Sequence, residues 1–222
     1  MWKPKLLRSL PARSATSTVI SNETPSSFAS AWSRAARLTG VPMIVNEKRP
    51  ADLIRTLNLF FDAVTEPAAR AGAQVSGHVG DAVVLFFPIA SPENASEVCA
   101  GAVKSAKDAL EALKTLNANR PDMPQLHARI GLDIGAVVHG NIGSAGRFSF
   151  TIIGMPVNRA ARLQALAKEL GVSLLMTAEV ADRAGSDRKS FGLHTLRGLD
   201  RPVEVVGIAQ AHQERSPGAR EI

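Results

Sequence analysis

The stretch Thr151-Ile-Ile-Gly-Met-Pro-Val-Asn-Arg-Ala-Ala-Arg-Leu163 constrains the fold of this chain more than any other. Its first three residues are β-branched, which favours a strand. Gly154 breaks the run, and Pro156 stands where a first helical residue belongs, because its fixed φ and missing N–H suit that position. The segment reads as strand, sharp turn and helix, the helix running from Pro156 to Leu170 with Gly171 as its stop. Asn158 and Arg162 fall four residues apart and so share one helical face. A guanidinium near a helix start offers planar, permanently charged donors to an anionic ligand. An isolated Asn/Arg pair is more often a solvated surface, so the surrounding sequence has to decide between the two.

That sequence alternates helical and extended patterns. Phe28 to Leu38 holds a first strand, though its alternation is poor. Pro50 to Arg70 is a helix, with Leu53, Leu57, Phe60, Val64 and Ala68 recurring at three- or four-residue steps before Gly72 ends it. Ala73 to Val79 and Ala82 to Phe87 form two strands around a Gly80-Asp81 turn, a hairpin signal. Pro92 to Asn119 is a second helix, striped by Val98, Ala102, Ala106, Ala109, Leu113 and Leu116. Leu126 to Val138 is a strand pair or one long strand bent at Gly135, and Phe148 to Ile153 is another strand. After the third helix come a strand at Val172 to Met176, a short helix at Ala178 to Ala184, and closing strands at His194 to Arg197 and Val203 to Ile208. The order β-α-β-β-α-β with a β/α extension is ferredoxin-like α+β.

Composition bounds the rest. With 222 residues, 45% of them hydrophobic, the chain suits one domain with a full core. Residues 1–26 are rich in Ser, Thr and Pro and carry Lys3, Lys5, Arg8 and Arg13, which reads as a flexible basic arm. Residues 27–209 form the domain, and 210–222 read as a disordered polar tail. The single cysteine, Cys99, excludes an internal disulfide, permits a reducing compartment, and lies in an Ala/Val-rich run that suits core packing. No apolar run approaches the ~20 residues that span a bilayer, and Leu6-Leu7 is too short for a signal peptide. A cytoplasmic location is expected. The net charge of +6 comes without a basic stripe interleaved with aromatics, so no nucleic-acid partner is expected.

The Thr151–Leu163 stretch resembles the "TVIG-x-x-VN-x-AARL" segment of class III adenylate/guanylate cyclases. Three more pieces occur in that family's order: Leu57-Asn58-x-x-Phe61, similar to its "LNxxF" helix; Val79-Gly80-Asp81 with the apolar run to Phe87, similar to its "IGD" hairpin; and Ile130-Gly-Leu-Asp-Ile-Gly135 with Gly140-Asn-Ile-Gly143, similar to its "GIxxG…GNIG" pair. Gly192 to Gly198 with Pro202-Val-Glu204 resembles the closing strands of bacterial members. Spaced motifs in order are far more specific than any one alone. The resemblance implies a central, mostly antiparallel sheet flanked by helices. It also implies an activity that turns a nucleoside triphosphate into a 3′,5′-cyclic monophosphate and pyrophosphate at a dimer interface. One protomer holds Mg²⁺ or Mn²⁺ on two Asp residues; the other reads the purine and grips ribose and phosphate.

Position by position, Asp81 matches the second metal Asp, Thr151 a base-reading position, Asn158 the ribose-binding Asn and Arg162 the Arg that offsets transition-state charge. Two positions depart. Counting back from Leu57-Asn58 puts Arg37 where the first metal Asp belongs, and an Arg has no lone pair to give a metal. Gly77 stands four residues before Asp81, where the family carries a base-reading Lys, and its use would be strand flexibility. Three readings stay open: a cyclase using Asp81 and an unrecognised second ligand, as a homodimer; a subunit that pairs with a fuller cyclase domain; or a regulatory module that binds a nucleotide or partner without catalysis. Weak or absent metal binding follows from Arg37.

Overall fold

The computed structural model describes residues 28–38, 50–79, 81–123, 125–144, 147–196 and 201–208. The expected arm over 1–26 and tail over 210–222 lie outside the described residues. Nine strands and four helices are present among those described: β1 (Phe28–Leu38), α1 (Pro50–Arg70), β2 (Gln74–Val79), β3 (Ala82–Ile89), α2 (Ala95–Ala118), β4 (Leu126–Ala136), β5 (Val138–Ser144), β6 (Arg147–Ile153), α3 (Met155–Glu169), β7 (Leu174–Thr177), α4 (Ala178–Ala184), β8 (Lys189–His194) and β9 (Val203–Gly207). The main sheet runs β2-β3-β1-β4-β7-β9-β8, and β5 and β6 form a separate hairpin. The first four strands stand in the order of a ferredoxin-like unit and pair antiparallel; β4–β7 is a parallel pair in the extension. The expected α+β class holds.

The helices form where apolar periodicity asks for them. On α1, Phe60, Val64 and Ala68 are fully buried, with Leu53 and Leu57 packed beside them. On α2, Ala102, Ala106, Ala109 and Leu113 face the core. This layer meets alternate residues of the sheet: Val83, Leu85, Phe87 and Ile89 of β3, and Ile130, Leu132 and Ile134 of β4. Cys99 lies within it, and burial pushes its thiol up to about 11, so it stays protonated packing material.

The other face of β4 receives α3, and the fit is unusually close. A Cβ on Gly131 would stand 2.0 Å from the Ala160 carbonyl oxygen, and one on Gly135 would stand 2.8 Å from Cγ of Pro156. The helix therefore lies backbone-on-strand, burying Pro156, Ala160, Leu163 and Ala167. Farther along that face, Phe86 of β3 carries the β5–β6 hairpin through Phe150 and His139, with ring centroids 6.2 and 5.7 Å away, beside buried Ile152.

Several boundaries move. The second helix opens with a 3-10 turn at Pro92–Asn94 before α2 proper. The long strand divides at Val137, and Val138–Ser144 turns away to pair with β6. β7 begins at Leu174, two residues late. The first closing strand is Lys189–His194, not His194 to Arg197: it pairs with β9 from Lys189↔Gly207 to His194↔Val203. Arg197 lies outside the described residues.

Gly131→Ala should therefore destabilise the domain by ~3 kcal/mol or more, because its Cβ meets helix backbone that cannot move aside. Gly77→Ala, which meets nothing within 4 Å, should fall within ~1 kcal/mol of wild type. Urea unfolding of both variants tests the contrast, and equal losses would contradict the packing.

Candidate functional site

The strand–turn–helix unit forms as expected, with one correction. Gly154 is the N-cap, Met155 is the first helical residue, and Pro156 occupies the second position. The cap has no side-chain hydrogen bond. Asn158 sits in the first turn, its N–H donating to the Gly154 carbonyl at 3.4 Å, and Arg162 follows one turn later. Both are exposed. The helix thus buries its small apolar stripe on β4 and turns the amide and the guanidinium outward.

Thr151 lies on β6 opposite Gly140 of β5, two residues before the Ile153↔Val138 pair. Period-two alternation puts Thr151, Ile153 and Val138 on one side of the hairpin. Ile153 is 57% exposed, Val138 69%, and neighbouring Met155 53%. Phe150 and Ile152 point the other way, into the contact with Phe86. Polar donors at Thr151, Asn158 and Arg162 are therefore rimmed by uncovered large apolar side chains.

Asp81 stands apart from them. It is exposed in the turn between β2 and β3, immediately before Ala82. Ala82 is level with Ala35 of β1, which is level with Arg129 of β4. Pro156, at the start of α3, packs on Gly135, six positions farther along β4, roughly 20 Å at about 3.4 Å per residue. Asp81 and the Asn158 turn thus belong to opposite ends of the strands, and one chain does not bring them together.

Asp81 has Arg37 at the neighbouring backbone position of β1, and an Arg has no lone pair to give a metal ion. Among the described residues, no group of three or more His, Cys, Asp or Glu could hold a metal ion. Arg37 lies near the end of β1, two residues beyond the Ala35↔Ala82 pair, beside the turn that carries Asp81. Gly77 lies on β2 opposite Val84, next to a bulge at Ser76. The bulge turns Ser76 Oγ to accept the Ile152 N–H at 3.0 Å, tying β2 to β6. Strand irregularity is therefore what Gly77 accompanies.

Sequence reasoning missed the buried polar cluster beneath the helix. Asp133 of β4 lies between Gly131 and Gly135 on the strand face that receives α3, and it is completely buried. Arg159 donates to it twice, Nε to Oδ2 at 2.5 Å and Nη2 to Oδ1 at 3.0 Å, and also donates to the Ile134 carbonyl at 3.1 Å. Thr177 of β7 adds a hydroxyl donor to Oδ1 at 3.1 Å. Burial pushes the Asp133 carboxyl up from 3.8 to about 6, against the opposing pull of Arg159. The available signal was the Gly-x-Asp-x-Gly alternation, which places a carboxylate on a face otherwise kept bare.

The description "Adenylate and Guanylate cyclase catalytic domain" matches residues 36–204. The chain belongs to that family. An uncharacterized protein of Mycobacterium tuberculosis is 35% identical over 176 residues, covering 76% of this chain and 30% of its own. A second from that species is 32% identical over 180 residues, covering 79% and 30%. The chain spans about a third of the length of the curated relatives it matches. In fold it is similar to the adenylyl cyclase CyaB from P. aeruginosa, with a TM-score of 0.72, 23% identity, and 86% and 97% of the two chains covered. It is also similar to the guanylyl cyclase Cya2, with a TM-score of 0.65, 20% identity, and 86% and 97% covered. No helix among the described residues is long and apolar enough to cross a membrane.

Because the folded value of Asp133 lies above its ordinary one, its contribution to stability is fully present below pH ~4 and is lost as pH rises through about 6. The stability of the wild type minus that of Asp133→Asn should fall by ~2 kcal/mol between pH 4 and 7. Unfolding free energies at each pH check this. A difference that rises with pH would mean that Arg159 outweighs burial.

Proposed function

We propose that this domain takes part in nucleotidyl cyclisation as the nucleotide-holding half of a site shared between two cyclase domains, with weak or no turnover as a homodimer. In that reaction the ribose O3′ forms a bond to the α-phosphorus, the bond from that phosphorus to the bridging oxygen of pyrophosphate breaks, and the 3′-hydroxyl proton leaves to solvent or a base. Thr151 contacts the purine edge, Asn158 orients the ribose, and Arg162 offsets the charge that grows on the phosphates. The uncharged amide contributes geometry, the guanidinium electrostatics. Carboxylates for Mg²⁺ or Mn²⁺ come from the other domain, because Arg37 denies this chain its own pair.

The observation that carries this reading is the separation of Asp81 from the Asn158 turn, with Thr151, Asn158 and Arg162 outward on a surface whose apolar rim is uncovered. Half-sites at opposite ends of the strands are what a site completed by a second domain requires, and two-fold pairing is the commonest way to supply one. Residues 27–209 are the unit that acts, in the cytoplasm, where nucleoside triphosphates are available. The homodimeric enzyme and the regulatory module are decided by the same experiment.

The purified chain is incubated with ATP, GTP, CTP or UTP and Mn²⁺, alone and mixed with a cyclase domain that keeps both metal carboxylates but has lost its own helix Asn and Arg. Cyclic products are read by mass spectrometry. The mixture should exceed either component by at least ~10-fold, and Arg162→Ala should cut its turnover by ~10²–10³ with KM nearly unchanged. Strong turnover by the chain alone would favour the homodimeric enzyme. No product in any mixture would leave the regulatory module.

A further inference from the structure

The contact between α3 and β4 is built from Gly131, Gly135, Pro156 and Ala160, none of which offers a directional side-chain contact. Small residues let the helix come close, and farther along Leu163 and Ala167 pack against Leu175 and Val205 through apolar contacts that carry no hydrogen-bond direction. The Gly154 cap adds no side-chain hydrogen bond. Arg159 is the exception on this surface. One planar guanidinium makes three hydrogen bonds to β4, two to the Asp133 carboxylate and one to the Ile134 carbonyl, while Thr177 braces the same carboxylate from β7. The fork geometry of an Arg–carboxylate pair fixes direction as well as distance.

We propose that Arg159 is a positioning residue: clamped by Asp133 and Thr177, it sets the rotation of α3 and thereby aims Asn158 and Arg162 at the nucleotide. The inference rests on the cyclase reading of those two residues. At 3.6 residues per turn, Asn158 lies about 100° to one side of Arg159 and Arg162 about 60° to the same side. A rotation of the clamp swings both together. Stability alone does not account for the cluster, because a buried ion pair is often no more stabilising than apolar residues of the same size. The Asp133 side chain is 0% exposed and that of Arg159 25%, so the charge on the strand lies wholly inside while the helix brings its partner to it.

The test compares wild type with Arg159→Met, Arg159→Lys and Asp133→Asn by amide hydrogen exchange across the domain, and by kcat and KM in whichever assembly turns over. Arg159→Met should speed exchange of residues 158–163 by at least ~10-fold while α1 and α2 keep wild-type rates. It should lower kcat by at least ~10-fold with KM within ~3-fold. Arg159→Lys should recover part of both effects. Should Arg159→Met fail to fold, Asp133→Asn carries the comparison, because the Asn can still accept from Thr177. Unchanged exchange in α3, or a uniform rise across all helices with kcat untouched, overturns the proposal. If the wild type neither turns over nor binds nucleotide in any assembly, the cyclase reading falls, and the exchange result alone decides whether Arg159 holds the helix.

Discussion

The approach of the α3 backbone onto the bare face of β4 is the contact on which the rest depends. Gly131 admits the Ala160 carbonyl to a spot where any side chain would collide, and Gly135 does the same for the Pro156 ring. A helix seated this low ends close to the sheet, so β6, Gly154 and the first turn of α3 form one continuous ledge. Asn158 and Arg162 are presented from that ledge because Pro156 and Ala160 pack on β4 and Leu163 is buried beside Leu175 and Val205. Asp133 occupies the one position between the two glycines and converts a featureless interface into one with a defined rotation.

The same architecture is what supports the proposal of a site shared between two domains. Strand register sets Asp81 at one end of the sheet and the Asn158 turn near the other, and no side chain spans that distance. Val138, Ile153 and Met155 form an uncovered apolar rim, the surface on which the proposed second domain would rest. Membership of the cyclase family accounts for the ledge. On the proposed reading, Arg37 and Gly77 leave this chain the nucleotide-holding half of a shared site.

Much of this was legible in the sequence. Helices α1 and α2 were readable because Phe60, Val64 and Ala68, and Ala102, Ala106 and Ala109, repeat at helical spacing and are buried for that reason. The hairpin turn at Asp81 and the strand–turn–helix at Thr151 were readable because Gly and Pro punctuate them. What escaped was non-local. β5 contains Gly140 and Gly143, which weaken its strand signal, and it forms because β6 pairs with it. β8 was misplaced because Lys189 and Ser190 are exposed on an edge strand whose pairing, not its apolar content, defines it. The Asp133–Arg159 pair joins residues 26 positions apart, and the Gly-x-Asp-x-Gly alternation marks the bare face without naming the partner that reaches the carboxylate.

The central claim is that this chain retains a working nucleotide half and falls short through two positions on the metal and base side. Arg37→Asp combined with Gly77→Lys tests it most directly. The first substitution exchanges a cation for a carboxylate beside Asp81, and the second places a donor at a site with open space around its Cβ. The measurement is cyclic nucleotide formed by the purified double variant alone, with each of four nucleoside triphosphates and Mn²⁺. The account predicts product at least ~10-fold above wild type, since both halves would then be present in a two-fold pair. A variant that folds, dimerises and binds Mn²⁺ yet forms no product from any of the four would contradict it.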